Sequence, residues 1–475
     1  MDRKLASHTE SSTRQHERSD VVVGQNSKDI ITAIDRLAKE FRVRQGARGQ
    51  HCTQSGEEFF ETAEAAILRS FAFDAMEDRH CTVADAHART FSWIFEKTNA
   101  DETPWDDFAA WLESGDDLYW INGKAASGKS TLMKYIFNEP RLKTSLGHWA
   151  GDTKLVCARF YFWHLGTNLQ KSHAGLLRSI LYQVLDQCRE LIPHILPDLW
   201  KRTTSQSTIF LESLTKTWHT WALADLQAIF ERLIKQKELP VMFCFFIDGL
   251  DEFDGEHTDI ATLFKLVASY AHTKVCVSSR PLMVFEQEFA LCPKLHLQDL
   301  TANDIMAYVH DKLNGHRGIA DLNQRDPEAI SELALEVCEM SSGVFLWVTL
   351  AVKSLLEGLT NLDGISDLQA RLRELPPELD DLFSLMLRAI KPSFYFRQAS
   401  KLLQVVYQSE SQLSATELSF ADEEDESLVF KLQFSDMAEP DREARSQAIR
   451  ARVKTRCAGL LEMHKTSKYA LDPDS

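Results

Sequence analysis

The chain has 475 residues, 44% of them hydrophobic and 26% charged, which suits a soluble globular protein of two or three domains and excludes a fibrous or wholly disordered one. Its formal net charge of −17 argues against a broad nucleic-acid-binding face, since such faces need clustered Lys and Arg to displace counterions. The nine cysteines are scattered with no C-x-x-C pair, so a reducing cytoplasm is the expected compartment.

The N-terminal segment is polar and shows no secretory signal, and 1–24 are expected to be disordered. Ile30, Ile34, Leu37 and Phe41 then recur at helical spacing, as in an amphipathic helix that packs on a partner or on the next domain. With the Gly- and Ser-containing linker 46–56, this makes an N-terminal arm over 1–56. Residues 57–115 read as a mostly helical platform, with Phe59, Phe60, Ala63 and Ile67 on one face and Trp105, Phe108 and Trp111 ahead of the first strand.

The chain is organised around 118–137, LYWINGKAASGKSTLMKYIF, which reads as strand, glycine-bounded loop and helix. Residues 123–130 fit G-x-x-x-x-G-K-[ST], a loop whose backbone N–H groups wrap phosphates at a helix N-terminus. Gly123 and Gly128 let the backbone approach an anion, Lys129 supplies charge, and the Ser130 hydroxyl can reach Mg²⁺. The helix is expected to end near Phe137, with 147–153 as loop. A β-branched and aromatic strand of central character follows at 154–163, and then helices at 174–185 and 214–235.

Residues 241–247, VMFCFFI, are apolar throughout, as in a parallel strand covered on both faces, and they end in Asp248. At the lip of such a sheet Asp248 can hold Mg²⁺ through water, and Asp251 or Glu252 can orient or deprotonate an attacking water. A further strand at 274–277 leads to Arg280, whose fork suits phosphate oxygens, and 294–297 is the last strand expected. Strand, loop and helix in repetition give a doubly wound parallel α/β sheet over 116–298. From Thr301 the chain is all-helical. Thr301-x-x-Asp304 resembles a capping box, 299–390 is expected to form a lid lobe, and 391–475 a C-terminal helical region with 422–426 as a solvated acidic loop. The longest mostly apolar run, 344–352, is too short to span a membrane.

The loop GKAASGKST, the strand end FFIDGLDE and VSSRP together resemble the NACHT family of P-loop ATPases, and more narrowly fungal NACHT proteins of the heterokaryon-incompatibility and NOD-like-receptor type. The resemblance runs from about Ala65 to Leu461 and includes DAHARTFSWIF, GLLRSILYQVL and GVFLWVTLAVKSLL. It implies that Gly123, Lys124, Ala125, Ala126, Ser127, Gly128, Lys129, Ser130 and Thr131 bind the phosphates of ATP or ADP. It further implies Ser130 and Asp248 as magnesium ligands, Asp251 and Glu252 as hydrolytic acids, and Arg280 as a sensor. The implied function is a slow ATP/ADP switch controlling self-assembly, with an effector or sensor protein as a further partner. An ATP-driven remodeller of the AAA+ kind and a scaffold with structural nucleotide are the alternatives. Gly249 stands where such remodellers carry their catalytic Glu, which disfavours the first of these. Gly343-Val344-Phe345 lacks the proline of the family's Gly-x-Pro element, and no sensor repeats follow.

Overall fold

A computed structural model of the chain describes residues 63–96, 105–114, 118–205, 221–317, 319, 328–389, 395–409, 413–423, 439–457 and 461. The N-terminal amphipathic helix therefore lies outside the described residues, as do Phe59 and Phe60. The chain divides into two units, one of Phe59–Leu379 and one containing Asp380–Ser475.

In the first unit, α1 (Ala63–Phe71) and the single-turn α2 (Asp78–Thr82) lead through a 3₁₀ turn at Ser92–Phe95 to α3 (Phe108–Ser114) and the first strand, β1 (Leu118–Asn122). The segment expected to be mostly helical is thus largely irregular between its short helices. Its backbone enters the left-handed region at Arg89 (φ 71°) and Phe91 (φ 65°), which no continuous helix allows. After the phosphate loop come α4 (Lys129–Asn138), α5 (Pro140–Ala150) and β2 (Lys154–Tyr161). The expected loop at 147–153 is corrected by α5, which Pro140 opens in its first turn and Gly151 closes at φ 57°.

The core continues with α6 (His173–Gln187), short α7 (Ile192–Ile195) and α8 (Pro197–Ser205), then α9 (Leu223–Lys235), β3 (Val241–Asp248), α10 (His257–Ala268), β4 (Thr273–Ser279), α11 (Met283–Glu288) and β5 (Lys294–His296). The five strands are parallel in the order β2-β3-β4-β1-β5, the doubly wound α/β arrangement that the strand–helix alternation implies.

Alternation along β3 separates two cores. Phe243, Phe245 and Ile247 pack with α6 and α9, while Cys244 and Phe246 meet Leu132, Met133 and Ile136 of α4. Asp248, two residues beyond Phe246, is thereby placed on the α4 face. Leu118 and Trp120 of β1 belong to the first core, and Tyr119 and Ile121 to the second.

The β2 strand is an edge strand, although its composition suggests a central one. Two α6 side chains serve the backbone groups that a further strand would have paired. Gln187 bonds the N–H of Cys157 (3.3 Å) and its carbonyl (2.7 Å), and Gln183 does the same at Arg159 (3.0 and 2.8 Å).

A helical lobe completes the unit: α12 (Leu297–Leu300), α13 (Ala302–Asn314), α14 (Ala329–Ser341), α15 (Phe345–Thr360) and α16 (Ile365–Arg373). Thr301 precedes α13 in helical backbone conformation without a capping bond, so the expected capping box does not form. The Asp304 carboxylate instead reaches across the molecule and accepts from the Phe91 N–H (3.1 Å) and Trp93 Nε1 (2.9 Å).

In the second unit, α17 (Leu379–Ala389) is followed by α18 (Phe396–Gln408), α19 (Ala415–Ala421) and α20 (Glu439–Arg456). Ala399, Leu402, Val405, Leu418, Ile449 and Val453 form its core. The acidic run corrects the expectation of a solvated loop at its first two positions: Asp422 is buried against Arg452 (2.6 Å), and Glu423 pairs with Arg445 (2.6 Å). Residues 424–426 lie outside the described residues. No described helix is long and apolar enough to cross a membrane.

Candidate nucleotide-binding site

The phosphate loop leaves the carboxyl end of β1 and enters α4, with Gly128 as N-cap at φ 99° and no side chain capping the helix. The first amides of α4 are thus offered to an anion, and a Cβ at Gly128 would be strained on backbone grounds alone. A Cβ at Gly123 would stand 2.8 Å from Ser127 Oγ, so glycine there keeps the turn tight. Ser127 Oγ and both polar atoms of the Asn122 side chain are buried without partners at the base of the loop. Lys129 Nζ turns back onto the loop and donates to the carbonyls of Gly123 and Lys124 (2.8 Å each). Desolvation lowers its pKa, which Asp251 and Asp248 counter.

Asp248 is 2% exposed at the end of β3. Ser278 Oγ donates to its carboxylate and accepts from the Gly249 N–H (3.0 Å), tying the ends of β3 and β4. Burial raises the Asp248 pKa, while the Ser130 and Ser278 hydroxyls and the charge of Arg79 act in the opposite sense. Ser130 and Asp248 are therefore neighbours, as a shared magnesium ion requires.

Asp251 is spoken for on both oxygens, by the Arg280 N–H (3.0 Å) and by Arg280 Nε (3.0 Å). Glu252 is held differently: one oxygen accepts from the His164 N–H (2.9 Å), and burial raises its pKa. Of the two acids, Glu252 keeps the freer carboxylate.

The helical lobe touches the phosphate loop directly. Leu346 N–H donates to the Ala126 carbonyl (3.3 Å), Lys124 N–H to Gln298 Oε1 (3.3 Å), and Lys124 Nζ to the Ser342 carbonyl (3.4 Å). Gly343, at φ 76°, lies so close to Gln298 that a Cβ would fall 2.3 Å from its carbonyl oxygen. Sequence reasoning missed these contacts, although Gly343 after a helix was a usable signal of close approach. A cleft of about 370 Å³ opens here between Lys124, Gln298, Thr301, Ile305, Cys338 and Gly343. A second, of about 300 Å³, lies between residues 85–92 and the outer side of α4 at Lys134, Tyr135 and Asn138.

Residues 89–280 match the family described as nephrocystin 3, N-terminal, and 390–474 match a domain of unknown function, DUF7791. Over 343 residues the chain is 23% identical to the vegetative incompatibility protein HET-E-1 of Podospora anserina, an alignment covering 70% of this chain and 22% of that one. The chain thus spans about a fifth of that relative's length. Two solved structures overlap it loosely. Drosophila ORC bound to DNA does so at 13% identity and a TM-score of 0.37, over 84% of this chain and 86% of that one. The Aeropyrum pernix ORC1 protein in complex with DNA does so at 10% identity and a TM-score of 0.30, over 76% and 86%. Overlaps of that size say nothing further about the chain. Residues 89–280, which carry the phosphate loop, are thus similar to the nephrocystin 3, N-terminal family, and the chain is similar over 70% of its length to a fungal vegetative incompatibility protein.

Proposed function

We propose that the protein is a nucleotide-controlled switch that binds ATP or ADP with Mg²⁺ at the phosphate loop and converts the state of that loop into a movement of the helical lobe. The observation that carries this reading is the bonding of the lobe to the loop itself, through Ala126 and Lys124. A group that reshapes the loop acts on Leu346, Gln298 and Ser342 without any relay.

The residues present fit the proposed ligand. The uncapped start of α4, the orphaned Ser127 hydroxyl and a lysine satisfied only by loop carbonyls suit a polyphosphate. Ser130 and Asp248 supply the hard oxygen donors that Mg²⁺ prefers. The metal, when bound, neutralises phosphate charge. Lys129 then exchanges its carbonyl partners for phosphate oxygens, and Glu252 holds the position from which water is oriented or deprotonated. Arg280, clamped by Asp251, is placed to respond to the outermost phosphate. We assign 57–115 as a platform, 116–298 as the nucleotide core, the first-unit part of the expected 299–390 segment as the lid lobe, and the helices of the second unit as a separate helical region. Self-association on exchange of ADP for ATP, with an effector or sensor protein as a further partner, and action in the cytoplasm complete the proposal.

The test is calorimetric titration of the full chain with Mg·ADP and Mg·ATP, alongside Lys129→Ala. Binding by the parent chain and its loss in the variant are expected, with hydrogen exchange at 342–348 differing between the two nucleotides. Absence of binding, or equal affinity in Lys129→Ala, would overturn the assignment.

A further inference from the structure

The cations that face the site acids are mostly committed. Lys129 bonds the loop carbonyls, Arg280 pairs with Asp251, and Arg159 pairs with Glu77 (2.6 Å) while lying over the Phe137 ring (4.7 Å). Arg79, on α2, differs. It makes no ion pair among the described residues, and its buried Nε, like that of Arg159, has no hydrogen-bond partner. Leaving a buried polar group so is unfavourable, more so when it is charged, and an anionic acceptor would offset that cost.

Its position points to which acceptor. The guanidinium lies over the Trp163 ring, 5.4 Å from the centroid. Trp163 is flanked by Phe162, whose N–H donates to the Asp248 carbonyl (2.9 Å), and by His164, whose N–H holds Glu252 (2.9 Å). Arg79 therefore stands at the strand ends bearing the two acids, and both carboxylates feel its charge.

Two further polar atoms are orphaned beside it. Tyr161 pairs with Asp248 in the β2–β3 register, and its hydroxyl is buried without a partner. His80 Nε2 is likewise unpartnered, on a ring 5.3 Å from that of Tyr161. Burial and the charge of Arg159 hold the His80 pKa down at about 4, so this imidazole is neutral at pH 7. Arg79 Nε, His80 Nε2 and the Tyr161 hydroxyl are thus three buried polar atoms without hydrogen-bond partners, one of them on a guanidinium. A charge fork of this kind suits phosphate oxygens.

We propose that Arg79 contacts the outermost phosphate of the bound nucleoside triphosphate, holding it from the β2 side of the sheet while Lys129 holds it from the β1 side. The inference rests on the nucleotide reading above and extends it in one respect. Arg79 lies ahead of the matched segment 89–280, so the nucleotide site is incomplete without the short helix α2.

The experiment measures affinities of the full chain for Mg·ADP and for a non-hydrolysable Mg·ATP analogue, in the parent, Arg79→Ala, Arg79→Gln and Arg79→Lys. Arg79→Ala and Arg79→Gln are expected to bind the triphosphate analogue about tenfold or more weakly while Mg·ADP binding stays within about twofold, and Arg79→Lys to fall between. Unchanged triphosphate affinity, or an equal loss for both nucleotides by whatever route, overturns the role of Arg79. A parent chain that binds neither nucleotide instead overturns the nucleotide reading itself.

Discussion

Replacing Gly343 with alanine tests its packing on Gln298, the residue whose side chain accepts from the Lys124 N–H of the phosphate loop. The added Cβ would stand 2.3 Å from the Gln298 carbonyl oxygen and 2.7 Å from its Cα and Cβ, and the first two are backbone atoms that no rotamer change can remove. The backbone at Gly343, at φ 76°, also disfavours any L side chain by about 1–2 kcal/mol. Overpacking adds about 1–3 kcal/mol, for a total of about 2–5 kcal/mol. In a unit of this size, with about 2.1 cal/mol/K of unfolding entropy per residue, that corresponds to a fall in melting temperature of about 3–7 °C, read by calorimetry or by circular dichroism. Gly147→Ala is the internal control. Gly147 lies within α5 with nothing inside 4 Å of an added Cβ, so the change is expected to be neutral or stabilising by about 0.5–1 kcal/mol. A Gly343→Ala protein melting within about 1 °C of the parent would refute the close packing of 343 on 298.

Asp304→Asn removes the charge from a carboxylate serving two donors and is expected to cost about 1–2 kcal/mol, detected as earlier denaturation and altered Trp93 fluorescence. Burial raises the Asp304 pKa. The folded state therefore holds this proton more tightly than the unfolded one, and stability from this group falls as pH rises from the usual Asp range through the raised folded pKa. That slope should vanish in the variant, and an unchanged pH profile would count against it. Among the described cysteines, native thiol labelling should begin at exposed Cys81, whereas Cys244 and Cys276, buried with pKa values far above the ordinary thiol, should react only on unfolding.

The parts legible in the sequence are those where one local pattern has one structural outcome. The apolar run into Asp248, the glycine-bounded loop before Lys129 and the strand before Arg280 each carry enough signal to be placed on one parallel sheet. The parts that were not legible depend on distant partners. Asp304 three residues after Thr301 has the spacing of a helix cap, yet its donors are more than two hundred residues away. The aromatic content of β2 says strand but not where in the sheet, because the groups that decide this are the amides of Gln183 and Gln187 on a helix. The pairing of both Asp251 oxygens with Arg280, 29 residues further along the chain, was likewise not legible.

Those two glutamines have a consequence for assembly. Set four residues apart on one helix face, they imitate the donor and acceptor ladder of a neighbouring strand and leave β2 little to offer a newcomer at Cys157 and Arg159. Growth by lateral strand addition is thereby blocked on that flank, and copies that associate there meet through side-chain surfaces. Gln183→Ala with Gln187→Ala would unmask the ladder and turn a well-behaved chain into one prone to sticking edge to edge.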